Sequence, residues 1–527
     1  MSASATPDGL RDTSGALLMS KNQVVVASLG CFVTLLLSLL DMNIVSSVSW
    51  KMVNDLDPVH GIDLLPWMVT SYALADCIVV PLYGKLADIY GAKRVYIAAL
   101  LIFLIGSCLC GISQSMTELI VFRTIQGVGG GGLMSVTMVV LGTLFRSDAE
   151  EEGGSMKTSS GGIMVGLGVA LGPLVGALVA NSLNWRWVFY INLPLVLAAL
   201  VIAVFVLKLP VYSERRKVDF LGAALLAGAA AGILLAVEWG GKQYAWGSPT
   251  VLLTLGGGLA LLVGFGWRLM TAEEPLISLR LLRNSTFRIM MPIGLITGMG
   301  LAGEVLYIGG YLQVGRGMGL TNASYMNLPM AGGMMLSVLT ARTVIAVMGK
   351  FKYLLTSAGV LQAVILLLFS TLDEHTSLWW VGLGMFGLGL GMGQTLGLAL
   401  QYMQNAVGLE DIGTATTTQR FTQQLGSSTG FAIFGMIMAK VLSSQLTGAA
   451  GAANVDGELN TAVLAQLPPE QRQAAIHAFI DAVTTVFFVA GCVAVVPAVL
   501  ALFIKEKGTK TKAREKAAEA RASAFTA

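Results

Sequence analysis

The chain repeatedly runs for about 20 residues with scarcely a charge, and such a stretch has few structural options. In lipid the backbone must satisfy its own hydrogen bonds, so each stretch has to be helical. We place spans near 24–48, 64–83, 95–114, 119–143, 159–181 and 186–207. A basic linker, Lys208 to Val218, follows, then spans near 219–238 and 249–269. After a charged segment, six more lie near 287–312, 322–348, 353–371, 377–404, 414–443 and 476–504. The total is fourteen, arranged as six, two and six. Composition agrees: 55% of the 527 residues are hydrophobic and 12% charged, about half the charge of an ordinary soluble domain. That excludes a disordered chain, a collagen, a coiled coil and a disulfide-knotted domain. The expected fold class is an all-α polytopic membrane protein.

An even span count puts both termini on one side, and the basic residues say which. Of the 33 Lys and Arg, Lys51, Arg186, Lys242, Arg316 and Arg472 fall on one side. Arg123, Arg420 and Lys440 fall within spans, and the remaining 25 share the side of the termini. The excess assigns both termini to the cytoplasm and the protein to the cell's inner (cytoplasmic) membrane. The basic tail from Lys505 to Arg521 is then a partner for anionic membrane lipids, and no nucleic acid is expected. The first twenty residues lack an apolar signal core, so no cleaved leader is expected. Cys31, Cys77, Cys108, Cys110 and Cys492 all lie in apolar stretches and read as buried thiols. His60, His375 and His477 read as solvated loop residues on the outer side.

Ionisable groups inside the spans need a reason to be there. Thr34, Ser38 and Asp41 share one face of the first span. Asp76 is in the second span with Tyr72 and Tyr83, and Arg123 in the fourth with Gln126. Glu304 is in the ninth with Tyr307 and Tyr311. Gln394 and Gln401 share a face of the twelfth, and Arg420 in the thirteenth accompanies Thr416, Gln423, Gln424 and Ser427. Each could simply pair with a neighbour. Five ionisable residues on five helices are more simply explained by a central, water-accessible cavity. A carboxyl group there can exchange a proton, which suits a proton-coupled carrier. Asp41 is the first choice for the proton, with Asp76 and Glu304 as alternatives and Arg123 as a modulator. The expected substrate contacts are Ser38, Asp41, Tyr72, Asp76, Glu304, Tyr307, Gln394, Gln401, Arg420 and Gln424.

Gly84-Lys-Leu-Ala-Asp88-Ile-Tyr-Gly91-Ala-Lys93-Arg94 stands between spans two and three. Its glycines allow a tight turn, and Asp88 with Lys93 and Arg94 can form a charge latch. This loop resembles that of the major facilitator superfamily, except that Ile89 and Ala92 stand at usually basic positions. The resemblance implies that Asp88 helps hold the cytoplasmic side closed. Arg123-Thr-Ile-Gln126-Gly127-Val-Gly129 resembles the family's fourth-span pattern, whose arginine is linked to proton coupling. Gly168-Val-Ala-Leu-Gly172-Pro173-Leu-Val-Gly176 resembles the fifth-span exporter pattern, with small residues for close packing and a proline kink. Leu40-Asp41-Met-Asn-Ile44-Val45 and Asn184-Trp185-Arg186-Trp187-Val-Phe-Tyr-Ile-Asn192-Leu-Pro194 are similar to the fourteen-span drug:proton antiporter branch, as are Tyr311-Leu-Gln313 and Gln424-Leu-Gly426. The first-span match departs at Ser46 to Trp50.

The resemblance implies two six-helix bundles around a central site. The expected units are a tail at 1–23, a bundle at 24–207, a linker with two extra spans and a connector at 208–286, a bundle at 287–504 and a basic tail at 505–527. The expected function is proton-coupled antiport exporting lipophilic or amphipathic compounds, organic cations among them, by a monomeric carrier. The partners are a small-molecule substrate, protons and lipids. Export of lipids or cell-envelope precursors is the alternative on the same fold. The Gly172-Pro173 pattern weighs against an importer. No enzyme is expected, and no cofactor or metal. Gly127-Val-Gly129-Gly-Gly-Gly132 and Gly426-Ser-Ser428-Thr-Gly430 match nucleotide-binding and nucleophile patterns, but both sit mid-span where close packing explains them.

Overall fold

The computed structural model describes residues 5–6, 9–11, 17–57, 61–151, 184–209, 219–240, 243–277, 279–348, 351–395, 399–408, 411–449 and 468–504. The first half holds α1 (Lys21–Leu56), α2 (Gly61–Tyr90), α3 (Ala92–Ile112), α4 (Met116–Glu151), α5 (Trp187–Tyr190) and α6 (Asn192–Phe205). A hairpin of α7 (Phe220–Trp239) and α8 (Pro249–Thr271) follows, then the short α9 (Leu279–Arg283). The rest comprises α10 (Ser285–Gly310), which passes into a π-helical turn at Tyr311–Gly315, α11 (Leu320–Tyr325), α12 (Leu328–Met348), α13 (Phe351–Phe369), α14 (Leu378–Gly393), α15 (Ala399–Asn405), α16 (Ile412–Ala449) and α17 (Pro469–Leu502).

Local chemistry starts these helices where they start. Ser20 and Gln23 form a reciprocal capping box on α1. Ser248 caps α8, with Pro249 in its first turn. Asp219 accepts from the Gly222 N–H at the head of α7, and Asn284 from Thr286 at the head of α10. Gly91, at φ 87°, turns the chain from α2 into α3 in a conformation that side chains avoid.

Among the described residues, nine helical stretches are long and apolar enough to cross a membrane. The fourteen expected spans exceed that number, which is counted over the described residues alone. Apolar stretches such as Asn22–Ser38 and Leu378–Gly393 are short, and the expected span 159–181 lies outside the described residues. The all-α expectation also needs a correction. The N-terminal tail carries three short antiparallel strands, β1 (Ala5–Thr6), β2 (Gly9–Arg11) and β3 (Leu17–Ser20). They sit against α1 and α4, and Met19 is fully buried there.

Helices α1 to α6 pack mainly on one another, and α10 to α17 do the same. The α7–α8 hairpin leans on α2 and α16. The two groups meet chiefly where α16 crosses α2 and α4. Gly84 of α2 and Gly413 of α16 face each other there. A Cβ on Gly413 would stand 2.6 Å from the Gly84 carbonyl, so neither position has room for a side chain.

All five cysteines are free, but only Cys31, Cys77 and Cys110 are buried; Cys492 is on the exposed, lipid-ready face of α17. His375 is solvated, as expected. His477 stands on α17 rather than in a loop, and both imidazoles approach Glu374, at 3.3 and 3.7 Å.

Candidate functional site: a buried polar network and a closed end

The interior of the first helix group holds a charge pair. Asp41 of α1 and Arg123 of α4 lie 2.8 Å apart with almost no exposure. Every oxygen of the carboxylate is engaged. Arg123 NH1 donates to Oδ2, while Gln126 Nε2 and Asn192 Nδ2 donate to Oδ1 at 2.9 and 2.8 Å. Ser107 of α3 closes the cluster by accepting from Gln126 and Asn192. The Arg123 guanidinium also lies over the ring face of Tyr72, 4.1 Å from its centre, and Gln126 Oε1 accepts from NH1 at 2.7 Å. Helices α1 to α4 and the head of α6 thereby share one knot of polar contacts.

The backbone makes this knot possible. Tyr72 runs along α4 where Gly127 and Gly130 leave room, and any Cβ at Gly127 would meet the Tyr72 carbonyl at 2.5 Å. Gly129 likewise lets α4 rest on the Phe103 backbone of α3. The G-x-G-x-x-G run is a helix-packing face, as its mid-helix position requires. Gly426 and Gly430 of α16 play the same part against Leu295 and Met299 of α10.

The predicted site residues divide into groups. Asp41, Arg123, Tyr72 and Ser38 come together, all buried. Asp76 of α2 is buried within electrostatic reach of Arg420 on α16, across the boundary between the two helix groups. Glu304 of α10 is buried, and its Oε2 has no hydrogen-bond partner among the described residues. Tyr307 is one turn away, edge-on to Phe434 at 6.4 Å. Tyr311 points elsewhere and donates to the Asp373 carbonyl. Gln394 and Gln424 are partly buried, and Gln394 Oε1 lacks a hydrogen-bond partner among the described residues. The Gln401 side chain lies outside the described residues, as do Gly168, Gly172, Pro173 and Gly176. Among the described residues no group of three or more His, Cys, Asp or Glu is arranged to hold a metal ion.

The expected latch has different partners. Asp88 accepts from the backbone N–H groups of Gly413 and Thr414 and from the Thr414 hydroxyl, at 2.9, 2.8 and 2.6 Å. It caps the N-terminus of α16, where orphan N–H groups and the helix dipole favour a carboxylate. Lys93 turns away and donates to the Val204 carbonyl, while Arg94 is exposed. Lys85 reaches the connector after α8, at 3.3 Å from the Pro275 carbonyl and 3.6 Å from Glu274. Gln404 adds a bridge from α15 to the Met138 carbonyl of α4. These contacts close one end of the molecule. Asp88 stands beyond the apolar run 64–83, and burial of its carboxylate pushes its pKa up to about 7 against the pull of its three donors.

Sequence reasoning missed Ser107, Asn192, Gly413 and Thr414. Asn192 was visible inside a recognisable motif, but nothing in its spacing announced a contact with Asp41.

The Major Facilitator Superfamily profile matches residues 30–431. Multidrug resistance protein 3 of Bacillus subtilis is 30% identical over 95% of this chain and 98% of its own. Multidrug transporter protein MdtP of the same species is 31% identical over 78% of this chain and 74% of its own. An uncharacterized MFS-type transporter of Mycobacterium tuberculosis is 32% identical over 84% of this chain, which spans 64% of that relative's length. Among solved structures, the human organic anion transporter MFSD10 superposes with a TM-score of 0.61 at 15% identity, covering 91% of this chain and 99% of that one. The proton:xylose symporter XylE gives 0.59 at 14% identity, covering 93% and 97%. These two share the fold.

Proposed function

This chain belongs to the Major Facilitator Superfamily, and from that premise we propose that it is a proton-coupled antiporter exporting lipophilic or amphipathic compounds, organic cations included. The observation that carries the coupling is the ion pair of Asp41 with Arg123 in the apolar interior. An uncompensated charge is excluded from such a place, so loading or removing one proton there changes which helix arrangement is favourable. Relatives named as multidrug transporters support the class of cargo.

The cycle runs by alternating access around fourteen spans, with both termini in the cytoplasm and bundles at 24–207 and 287–504. The end closed by Asp88 is then the cytoplasmic end. With that end open, a compound enters from the cytoplasm or the inner leaflet. The bundles rock, the compound leaves outward, and a proton from outside reaches Asp41. Arg123 stabilises the ionised form and so promotes proton release on return. Glu304 and Asp76 are further carboxylates for coupling or for holding a cation, with Tyr307, Gln394, Gln424 and Arg420 beside the path. One charge crossing 100 mV supplies about 2.3 kcal/mol, apart from the pH term.

The test uses proteoliposomes with an imposed pH gradient and a fluorescent lipophilic cation. The parent is expected to move the cation against its gradient, and Asp41→Asn to lose that drive. Gradient-driven transport retained by Asp41→Asn would move the proton to Asp76 or Glu304. A folded parent that moves no cation would overturn the drug-export reading.

A further inference from the structure

Asp41 has to exist in two protonation states without leaving the apolar interior, and its surroundings fit only one of them as they stand. Three donors converge on the ionised carboxylate: Arg123 on Oδ2, and Gln126 and Asn192 on Oδ1. Once a proton sits on Oδ1, that O–H needs an acceptor, and two N–H groups face it instead. A buried hydroxyl without an acceptor is costly.

The acceptors within the cluster are few. Gln126 Oε1 already receives Arg123 NH1, and the Cys110 thiol lies 3.6 Å from it. Ser107 Oγ already receives both amides. Asn192 Oδ1 has no hydrogen-bond partner among the described residues, although the side chain is almost entirely buried. A buried amide carries its donor and its acceptor on opposite arms, and half a turn about its terminal bond exchanges them. The other titratable or charged groups facing the cluster among the described residues are Tyr72 and Asp76 of α2, Cys110 of α3 and Arg123 of α4. Cys110 and Arg123 are donors here, and the buried Tyr72 hydroxyl, without a hydrogen-bond partner among the described residues, makes no hydrogen bond to Asp41.

We propose that Asn192 is the positioning residue that lets Asp41 carry its proton: its Nδ2 holds the carboxylate, and after half a turn its Oδ1 accepts the hydrogen of the protonated acid. The chemistry is a single protonation. A hydronium ion from outside gives up one O–H bond and leaves as water while the O–H bond on Oδ1 of Asp41 forms, and Asn192 exchanges a donated hydrogen bond for an accepted one. Ser107 loses one of its two amide donors in the turn and keeps the other, from Gln126. Asn192 is the first residue of α6, so the exchange reports the state of Asp41 to a second helix. The inference rests on the proposed coupling through Asp41.

The test compares the full-length parent with Asn192→Leu and Asn192→Asp in proteoliposomes, using tetraphenylphosphonium as the probe. Two readouts separate the roles: transport driven by a pH gradient, and exchange of labelled for unlabelled probe at equal pH. Asn192→Leu is expected to cut the driven transport at least tenfold while exchange stays within about threefold of the parent. Loss of both together marks a merely structural role and overturns the proposal, as does retention of both. Should Asn192→Leu fail to fold, Asn192→Asp preserves the shape and, when ionised, presents acceptors only. It is expected to move the pH of half-maximal driven transport by at least one unit, and an unmoved profile overturns the proposal. A parent that exchanges the probe with no pH-driven component overturns the coupling reading, and this inference with it. A parent with intact drive beside an unaffected Asn192→Leu overturns this inference alone.

Discussion

Asp41 and Arg123 hold each other in place by charge, and that mutual dependence is measurable. With both side chains out of water, removal of one leaves the other uncompensated, at a cost of about 3–5 kcal/mol. Arg123→Met is therefore expected to lower the thermal stability of the detergent-purified protein markedly, as read by the unfolding of its tryptophan fluorescence. The double variant Asp41→Asn with Arg123→Met, which removes both charges, should recover most of the loss. An Arg123→Met protein as stable as the parent would show that the pair contributes nothing net. These two residues were legible in the sequence because a charge in an apolar run stands out. Ser107 and Asn192 were not, because a neutral hydroxyl or amide is common enough in membrane helices to carry no signal. Only the rotation of α3 and α6 about their axes brings both to Asp41, and no spacing rule gives that rotation.

The contact of Asp88 with the head of α16 makes closure of this end sensitive to pH. Burial raises its pKa from the ordinary 3.8 to about 7 when enclosed, and the pKa returns towards the lower value when the end opens into water. The enclosed state therefore binds the proton more tightly, so protonation favours closure. That advantage is full below pH 3.8, shrinks as pH rises and is gone above about 7. Each pH unit within that window changes the balance by up to about 1.4 kcal/mol. Spin labels at Arg94 and Arg283 are expected to report fewer closed molecules at pH 7.5 than at pH 5.5, and Asp88→Asn should flatten the difference. A population that does not respond to pH in the parent would refute the assignment. The loop carrying Asp88 was recognisable from its glycines and charges. Its true partners were hidden, because they are mainly backbone N–H groups more than three hundred residues away and every sequence position has one.

At the scale of the whole molecule, closure depends on two helices whose backbones approach closely at Gly84 and Gly413. Gly413→Val places a branched side chain against the Gly84 carbonyl and the Asp88 carboxylate. The same pair of labels is expected to move apart in this variant, with the helical content unchanged. An unaltered distance would mean that the crossing of α2 and α16 does not govern this end. The layout of apolar runs was legible because lipid imposes the same requirement on every span. The three strands before α1 were not: they are two to four residues long, too short for alternation to show.

The hold of Lys85 on the Pro275 carbonyl turns the connector into a leash. Nine residues lie between Pro275 and the start of α10, and five of them are coiled into α9. Their combined reach is roughly 25 Å. While Lys85 keeps its grip, the head of α10 can swing only within that radius of α2. A wider stroke requires the lysine to let go or α9 to unwind. The hairpin of α7 and α8 thus does more than fill space beside the two helix groups: the chain leaving it sets how far they can part.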